Sequence, residues 1–238
     1  MYQRIFESPF WKPLTRLYQR APSIALCRVP ELEFASRLDI SGNALDHCCG
    51  DGLFAALAWQ NRKLFTGCDI NFHSVQQARK QRRYLYVEVC DVSRKLPYKD
   101  HSFNLVFDNS ALEHVKDLTS NLREIARVLM PGGHFAFNVL NKRYFEWWPL
   151  ESRSLEEYKQ WQPFFHALSL KEWEEALRTA GFEILDVKGY FDKTSSQELA
   201  RLDYHFSAYY LRGVSNLFVR LYLALPGIFS KFLFSKLK

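Results

Sequence analysis

Three aspartates occupy positions that a donor-rich ligand would need. Asp46 ends the apolar start of a strand, just ahead of the small-residue turn Cys48-Cys49-Gly50-Asp51-Gly52; Asp69 and Asp91 end two later apolar runs. An ionised carboxylate only accepts hydrogen bonds, so acids at three strand ends describe a ligand rich in cationic, hydroxyl or amino groups. Gly50 and Gly52 fall where the backbone must bend tightly or let a ligand approach with no Cβ in the way. The turn enters the helical pattern Leu53–Gln60, whose N-terminus is expected to offer backbone N–H groups to whatever sits there. The segment reads as a nucleotide-type cofactor site.

Two cofactor classes compete for it. Gly50-Asp51-Gly52-Leu53-Phe54-Ala55 fits the G-x-G-x-x-G/A spacing of dinucleotide-binding turns. Asp69 suits ribose hydroxyls in either class. Asp46 discriminates, because a carboxylate beside the glycines repels a pyrophosphate and suits an ammonium group. Asp91 adds an acceptor for an adenine amino group. Together the acids favour S-adenosylmethionine, which carries an α-ammonium and a sulfonium and has no phosphate. Methyl transfer from a sulfonium needs positioning, exclusion of water and sometimes a base. The base candidates are His114 and His166, with His47, inside the cofactor turn, read first as a structural hydrogen-bonding residue. Cys48, Cys68 and Cys90 also stand at strand ends, but their spacing matches no zinc pattern, and small buried residues are the plainer reading.

The elements that position these residues alternate. Strands are expected at Asn43–Asp46, Leu64–Asp69, Leu85–Cys90, Asn104–Asp108 and His134–Val139, and helices at Leu53–Gln60, His73–Arg82 and Leu118–Leu129. This rhythm predicts an α/β fold, a doubly wound and mostly parallel sheet. Pro131-Gly132-Gly133 reads as a helix stop and turn. Ser169-Leu170-Lys171-Glu172 is a capping-box signature opening a helix to about Ala180; Gly181 ends it, and Phe182–Val187 is expected to form a strand. Residues 1–40 read as a helical lead-in broken by Pro9, Pro13, Pro22 and Pro30, residues 41–193 as the cofactor domain, and residues 194–238 as a helical tail. Within the domain, 141–168 is an aromatic insertion.

The ordered series of motifs resembles the Rossmann-like (class I) S-adenosylmethionine-dependent methyltransferase family. It runs from Leu45–Gly52 through Gly67-Cys68-Asp69-Ile70, Cys90-Asp91-Val92, Ser102–Val106 and Ala111–Val115 to Arg127–Gly133. The resemblance covers roughly residues 43–140 and extends loosely to about 190. It implies that Asp46 and the Gly50/Gly52 loop hold the methionine part, Asp69 the ribose and Asp91 the adenine. Asn109 would lie beside the methionine and the reacting methyl; His47, Cys48, Ile70 and Val92 join the cofactor-binding set. Cys48 departs from the family, which more often has Gly there. The family's last antiparallel strand has no good counterpart, Gly189–Lys193 being a poor one. A non-catalytic S-adenosylmethionine-binding module and an NAD-dependent oxidoreductase are the alternatives, the second disfavoured by Asp46.

Composition narrows the acceptor. Of the formal net charge of +6, Arg212, Arg220, Lys231, Lys236 and Lys238 supply +5 after Asp203, where no acid follows. The basic balance therefore belongs to the tail and does not describe a nucleic-acid-binding surface. The tail places Leu217, Leu221 and Leu225 on one helical face, in stretches too short to span a bilayer, and reads equally as a helix on an anionic membrane surface or one packed on protein. The aromatic insertion suits sugar rings or the apolar part of a lipid-linked acceptor, or else forms a satellite core. The acceptor expected is thus a small or lipid-linked molecule, with methylation of a sugar oxygen for cell-surface polysaccharide or glycolipid leading. Five cysteines and no secretory pattern in Met1–Pro13 point to a reducing cytoplasm, with membrane association peripheral if present.

Overall fold

A computed structural model describes residues 2–18, 21–213 and 219–220. The elements, in chain order, are α1 (Tyr2–Glu7), α2 (Trp11–Leu17), α3 (Pro22–Ala35), β1 (Ala44–His47), α4 (Leu53–Ala58), β2 (Leu64–Asp69), α5 (Phe72–Gln81) and β3 (Tyr84–Val89). They continue with β4 (Phe103–Asn109), a short 3-10 turn (Leu112–His114), α6 (Leu118–Val128), β5 (Leu129–Asn138), α7 (Arg143–Glu146), α8 (Ser152–Trp161), α9 (Leu170–Thr179) and α10 (Lys193–Arg212). Contacts divide the chain into two units. One holds Phe34–Lys142 and Phe164–Val187; the other holds Met1–Glu33, Arg143–Pro163 and Lys188–Lys238.

The first unit is the α/β body. Its five strands are all parallel, in the order β3-β2-β1-β4-β5. Chain order reverses between β1 and β4, so the carboxyl ends of those strands border the crevice where open α/β sheets bind ligands. All four residues of β1 are buried, as parallel strands with both faces covered require. One face packs Leu45, Phe103 and Val106 against α6 and, from α9, Trp173 and Leu177. Helix α6 presents Leu118, Leu122, Ile125 and Val128, spaced by three or four, and burying such side chains contributes roughly 1.5–3 kcal/mol each. The capping box at Ser169 and Glu172 forms as the sequence suggests.

Two expectations fail here for identifiable reasons. Pro131-Gly132-Gly133 does not make a turn between helix and strand. The triplet lies within β5, where two steps along β4 (Phe103 to Leu105) are matched by five along β5 (Leu129 to His134). The triplet is a bulge on an edge strand, where proline's missing N–H is tolerated and Gly132 takes φ +77°. Phe182–Val187 forms no strand and joins no ladder. Phe182 and Ile184 settle on the core as isolated anchors, while Leu185 remains 71% exposed. Among the described residues no strand follows β5.

The second unit is helical. Pro22 opens α3, where its missing N–H costs nothing, but Pro30 lies inside α3 and does not break it, contrary to the sequence reading. Residues 143–163, read with the α/β domain from sequence, group with the terminal helices. Their rings pack on one another and on α10: Trp148 on Tyr158 at 5.0 Å and Trp161 stacked on Tyr204 at 5.2 Å between centroids. The half-buried Asp203 carboxyl, pushed up by desolvation, accepts the Tyr158 hydroxyl. Most of the tail, including Leu217, Leu221 and Leu225, lies outside the described residues; among those described, no helix is long and apolar enough to cross a membrane.

Candidate active site

The chain leaves β1 through a run of left-handed backbone: Cys48 at φ +59°, Gly50 at +55° and Gly52 at +72°. The angle at position 48 explains why glycine suits it; an L side chain there costs on the order of 1–2 kcal/mol. At Gly52 a Cβ would also meet the Ala78 Cα and the Tyr84 ring at 3.0 Å, whereas at Gly50 it would meet nothing within 4 Å. Gly52 therefore closes the turn tightly, and Gly50 faces open space.

Four backbone N–H groups of this turn are consumed internally. Cys49 N–H donates to the Cys68 carbonyl (2.8 Å), Gly50 N–H to Asp69 Oδ2 (2.9 Å), Gly52 N–H to the Cys49 carbonyl (3.1 Å) and Leu53 N–H to Asp51 Oδ1 (3.0 Å). The expectation that the helix start would present N–H groups to a ligand is corrected at these four positions. A pyrophosphate would find carboxylates where it needs donors.

The acids occupy distinct settings. Asp46 is buried and accepts the Tyr84 hydroxyl at 2.6 Å. Burial pushes its carboxyl up to about 7; the Tyr84 hydrogen bond opposes this, and the charges of Asp108 and Asp69 add to it. A carboxylate so placed gains most from a cationic partner. Asp69 also accepts Asn71 N–H at 2.8 Å, so it fixes the Gly50 loop and the start of α5 together. Beside it Ile70 is 64% exposed, an apolar surface next to an acceptor. Asp91 is tied down more than its expected role suggests, accepting Ser93 N–H (3.0 Å) and Oγ–H (2.6 Å) and pairing with Arg94 at 3.3 Å; the Ser93 bonds hold its carboxyl low. Val92 is buried. Asn109 Oδ1 accepts Asn138 Nδ2–H at 2.7 Å, which joins the ends of β4 and β5.

The histidines separate. His47 is fully buried and bridges Asp108 (2.7 Å from Nδ1) and Asn121 (3.2 Å from Nε2). His114 ends the 3-10 turn, its ring 4.9 Å from Phe164. His166 comes to the same turn: its backbone N–H donates to the Glu113 carbonyl (3.2 Å) and Nε2–H to the Lys116 carbonyl (3.2 Å), leaving Nδ1 as the accepting nitrogen. Residues 52 positions apart in sequence thus meet at one turn beyond β4.

Tyr84, Asp108 and Asn121 were missed from sequence. Asn121 had a signal, being a polar residue on the apolar stripe of α6; Tyr84 and Asp108 had none short of the strand register. His47, Cys48 and Asp108 place one ligand atom each within 4.8 Å of one another. A cation there would have to part the direct His47–Asp108 bond, and burial pushes the Cys48 thiol up, away from the thiolate a metal binds. Acceptors, a buried carboxyl raised by desolvation and a self-satisfied turn instead fit an ammonium-bearing, phosphate-free nucleoside cofactor.

Known proteins agree with this arrangement. Residues 45–137 match the family described as methyltransferase domain. A probable S-adenosylmethionine-dependent methyltransferase of Mycolicibacterium smegmatis is 30% identical over 158 residues, covering 66% of this chain and 58% of that protein. The ubiquinone/menaquinone biosynthesis C-methyltransferase UbiE of Desulfotalea psychrophila is 36% identical over 97 residues, 39% of each chain. The chain thus spans less than two thirds of the curated relatives it matches. A solved S-adenosylmethionine-dependent methyltransferase from Mesorhizobium loti shares the fold, with TM-score 0.56 and 24% identity over 73% of this chain and 91% of that one.

Proposed function

We propose that this chain, whose α/β unit belongs to the Rossmann-like S-adenosylmethionine-dependent methyltransferase family, transfers a methyl group to a small or lipid-linked acceptor. The observation that carries the reading is the Gly50 turn, with its four consumed amides and the buried Asp46 beside it. The same observation opposes an NAD-dependent reading, because a pyrophosphate at this turn would face the carboxylates of Asp46 and Asp69 and four amides already engaged.

When bound, S-adenosylmethionine supplies a methyl on a sulfonium whose departure leaves a neutral thioether. Asp46 binds the ammonium, Asp69 accepts from the ribose, Asp91 accepts from the adenine, and Ile70 and Val92 contribute apolar surface. Asn109 stands at the end of β4, on the acceptor side. His114 and His166 meet beyond that strand, and His166 Nδ1 is the nitrogen suited to take a proton from an acceptor hydroxyl. An oxygen nucleophile on a sugar is the acceptor that this base chemistry favours, and the basic tail favours a lipid-linked form at a membrane surface.

The test is a methyl-label transfer assay with radiolabelled S-adenosylmethionine on lipid and soluble fractions of the source cell. Label entering the lipid fraction supports the lipid-linked acceptor, and label in the soluble fraction supports the small one. Cofactor binding with no transfer to either fraction would replace the enzyme by a non-catalytic S-adenosylmethionine-binding module.

A further inference from the structure

His47 and Asp108 face each other across β1 and β4 at the final rung of that ladder, both side chains fully buried. Just beyond them both strands leave the sheet through left-handed residues, Cys48 and Ser110 (φ +56°), conformations that non-glycine residues keep only where neighbours hold them. Asp108 Oδ2 accepts His47 Nδ1–H at 2.7 Å, and Oδ1 accepts Ala111 N–H at 3.2 Å, at the entry to the 3-10 turn. On the other side of the ring, Asn121 Nδ2 donates to His47 Nε2 (3.2 Å) and to the Val92 carbonyl (2.7 Å). Because a carbonyl can only accept, the Val92 bond fixes which way the amide points. Nε2 of His47 must then accept, so Nδ1 carries the ring proton that reaches Asp108.

These bonds form one buried chain through three loops: the one after β3 at Val92, the one after β1 at Cys48, and the one after β4 at Ala111. Each loop carries residues that the proposed function gives to the cofactor or the acceptor. Asn121 sits among Leu118, Leu122 and Ile125, where a polar side chain is costly unless it bonds, and its Oδ1 is buried without a hydrogen-bond partner. Core packing alone would favour an apolar residue at this position. We propose that Asn121, acting through His47 and Asp108, is a positioning residue that holds the three loops in the arrangement S-adenosylmethionine needs. The inference rests on the methyltransferase reading and adds to it Asn121 and Asp108, two buried residues to which that reading gives no role.

The experiment is calorimetric titration of S-adenosylhomocysteine into the wild-type chain, Asn121→Ala, and two controls on the same helix, Ile125→Val and Ile125→Ala, which bracket the loss of stability. The net worth of a buried hydrogen bond predicts about a tenfold rise in Kd for Asn121→Ala. Wild-type Kd is expected for the Ile125 variants even where their melting temperature falls as far. A folded Asn121→Ala protein with wild-type affinity overturns the inference, as does an equal loss of affinity in an Ile125 variant of matched melting temperature. If Asn121→Ala does not fold, nitrogen-15 NMR of the wild-type protein decides. The His47 Nδ1–H and Asn121 amide signals are expected to move on adding S-adenosylhomocysteine, and signals unmoved at saturation overturn the inference. No binding by the wild-type chain overturns the methyltransferase reading itself, an outcome that is separate because it appears before any variant is compared.

Discussion

Asp46 makes cofactor affinity depend on pH in a way that can be worked out in advance. Its carboxyl, raised by burial to about 7, holds a proton in the free protein through much of the range where ordinary aspartates are ionised. If the ammonium binds only the carboxylate, the apparent Kd is the intrinsic value divided by the ionised fraction. Affinity then falls about twofold at pH 7, about elevenfold at pH 6 and about a hundredfold at pH 5 relative to alkaline conditions, each tenfold being about 1.4 kcal/mol. Binding at pH 6 releases about nine-tenths of a proton, countable by calorimetry in buffers of different ionisation enthalpy. The stability of the free protein moves the other way. An acid whose folded pKa is raised keeps its proton in the folded state longer than in the unfolded chain, so the Asp46 contribution to stability is fully present below about pH 4 and is lost as pH rises through about 7. The decline is at most about 4 kcal/mol for a shift of three units. Asp46→Asn is therefore expected to melt higher than wild type at pH 8 while binding S-adenosylhomocysteine far more weakly. A wild-type affinity that stays flat from pH 5.5 to 8, or an Asp46→Asn variant that binds normally, would refute this reasoning.

Other perturbations have equally definite outcomes. Tyr84→Phe removes the hydrogen bond that holds the Asp46 carboxyl down, so the midpoint of the binding profile moves to higher pH, visible in the same titrations. Gly52→Ala forces a side chain into a left-handed turn against Ala78 and Tyr84, and chemical denaturation is expected to show a loss of about 1–3 kcal/mol. Cys48→Gly relieves left-handed strain and is expected to keep both fold and cofactor affinity, whereas Cys48→Val, β-branched at φ +59°, is expected to lose stability. Removing residues 214–238, beyond the Gly213 cap of α10, is expected to abolish flotation with anionic liposomes; equal flotation of both forms counts against a membrane role for the tail.

The cofactor turn was legible because each part of it is local. A strand, a glycine turn and a helix follow one another within Ala44–Ala58, and the acids at positions 46 and 69 close strands whose apolar runs are visible in the sequence. What escaped depends on partners far apart in the chain. His47 and Asp108 are 61 residues apart and meet only through the β1–β4 register, and Tyr84 reaches Asp46 from the start of β3. Pro131-Gly132-Gly133 misled because the same residues serve a turn and a strand bulge, and only pairing with β4 separates the two. Phe182–Val187 has the alternation of a strand, yet its two half-buried side chains, Phe182 and Ile184, anchor it without a ladder. The aromatic insertion fits both a substrate cover and a satellite core in sequence; the rings of Trp148 and Trp161 make their contacts within the helical unit, while Phe164 packs on His114 in the α/β unit.

The central claim, that the Gly50 turn holds S-adenosylmethionine and not a dinucleotide, is tested most directly by paired calorimetric titrations at pH 8. S-adenosylhomocysteine is expected to bind at one site per chain, binding is expected to be nearly abolished by Asp69→Ala in a folded protein, and NAD is expected to give no heat of binding. Binding of NAD in place of S-adenosylhomocysteine, or undiminished S-adenosylhomocysteine affinity in folded Asp69→Ala, would contradict it.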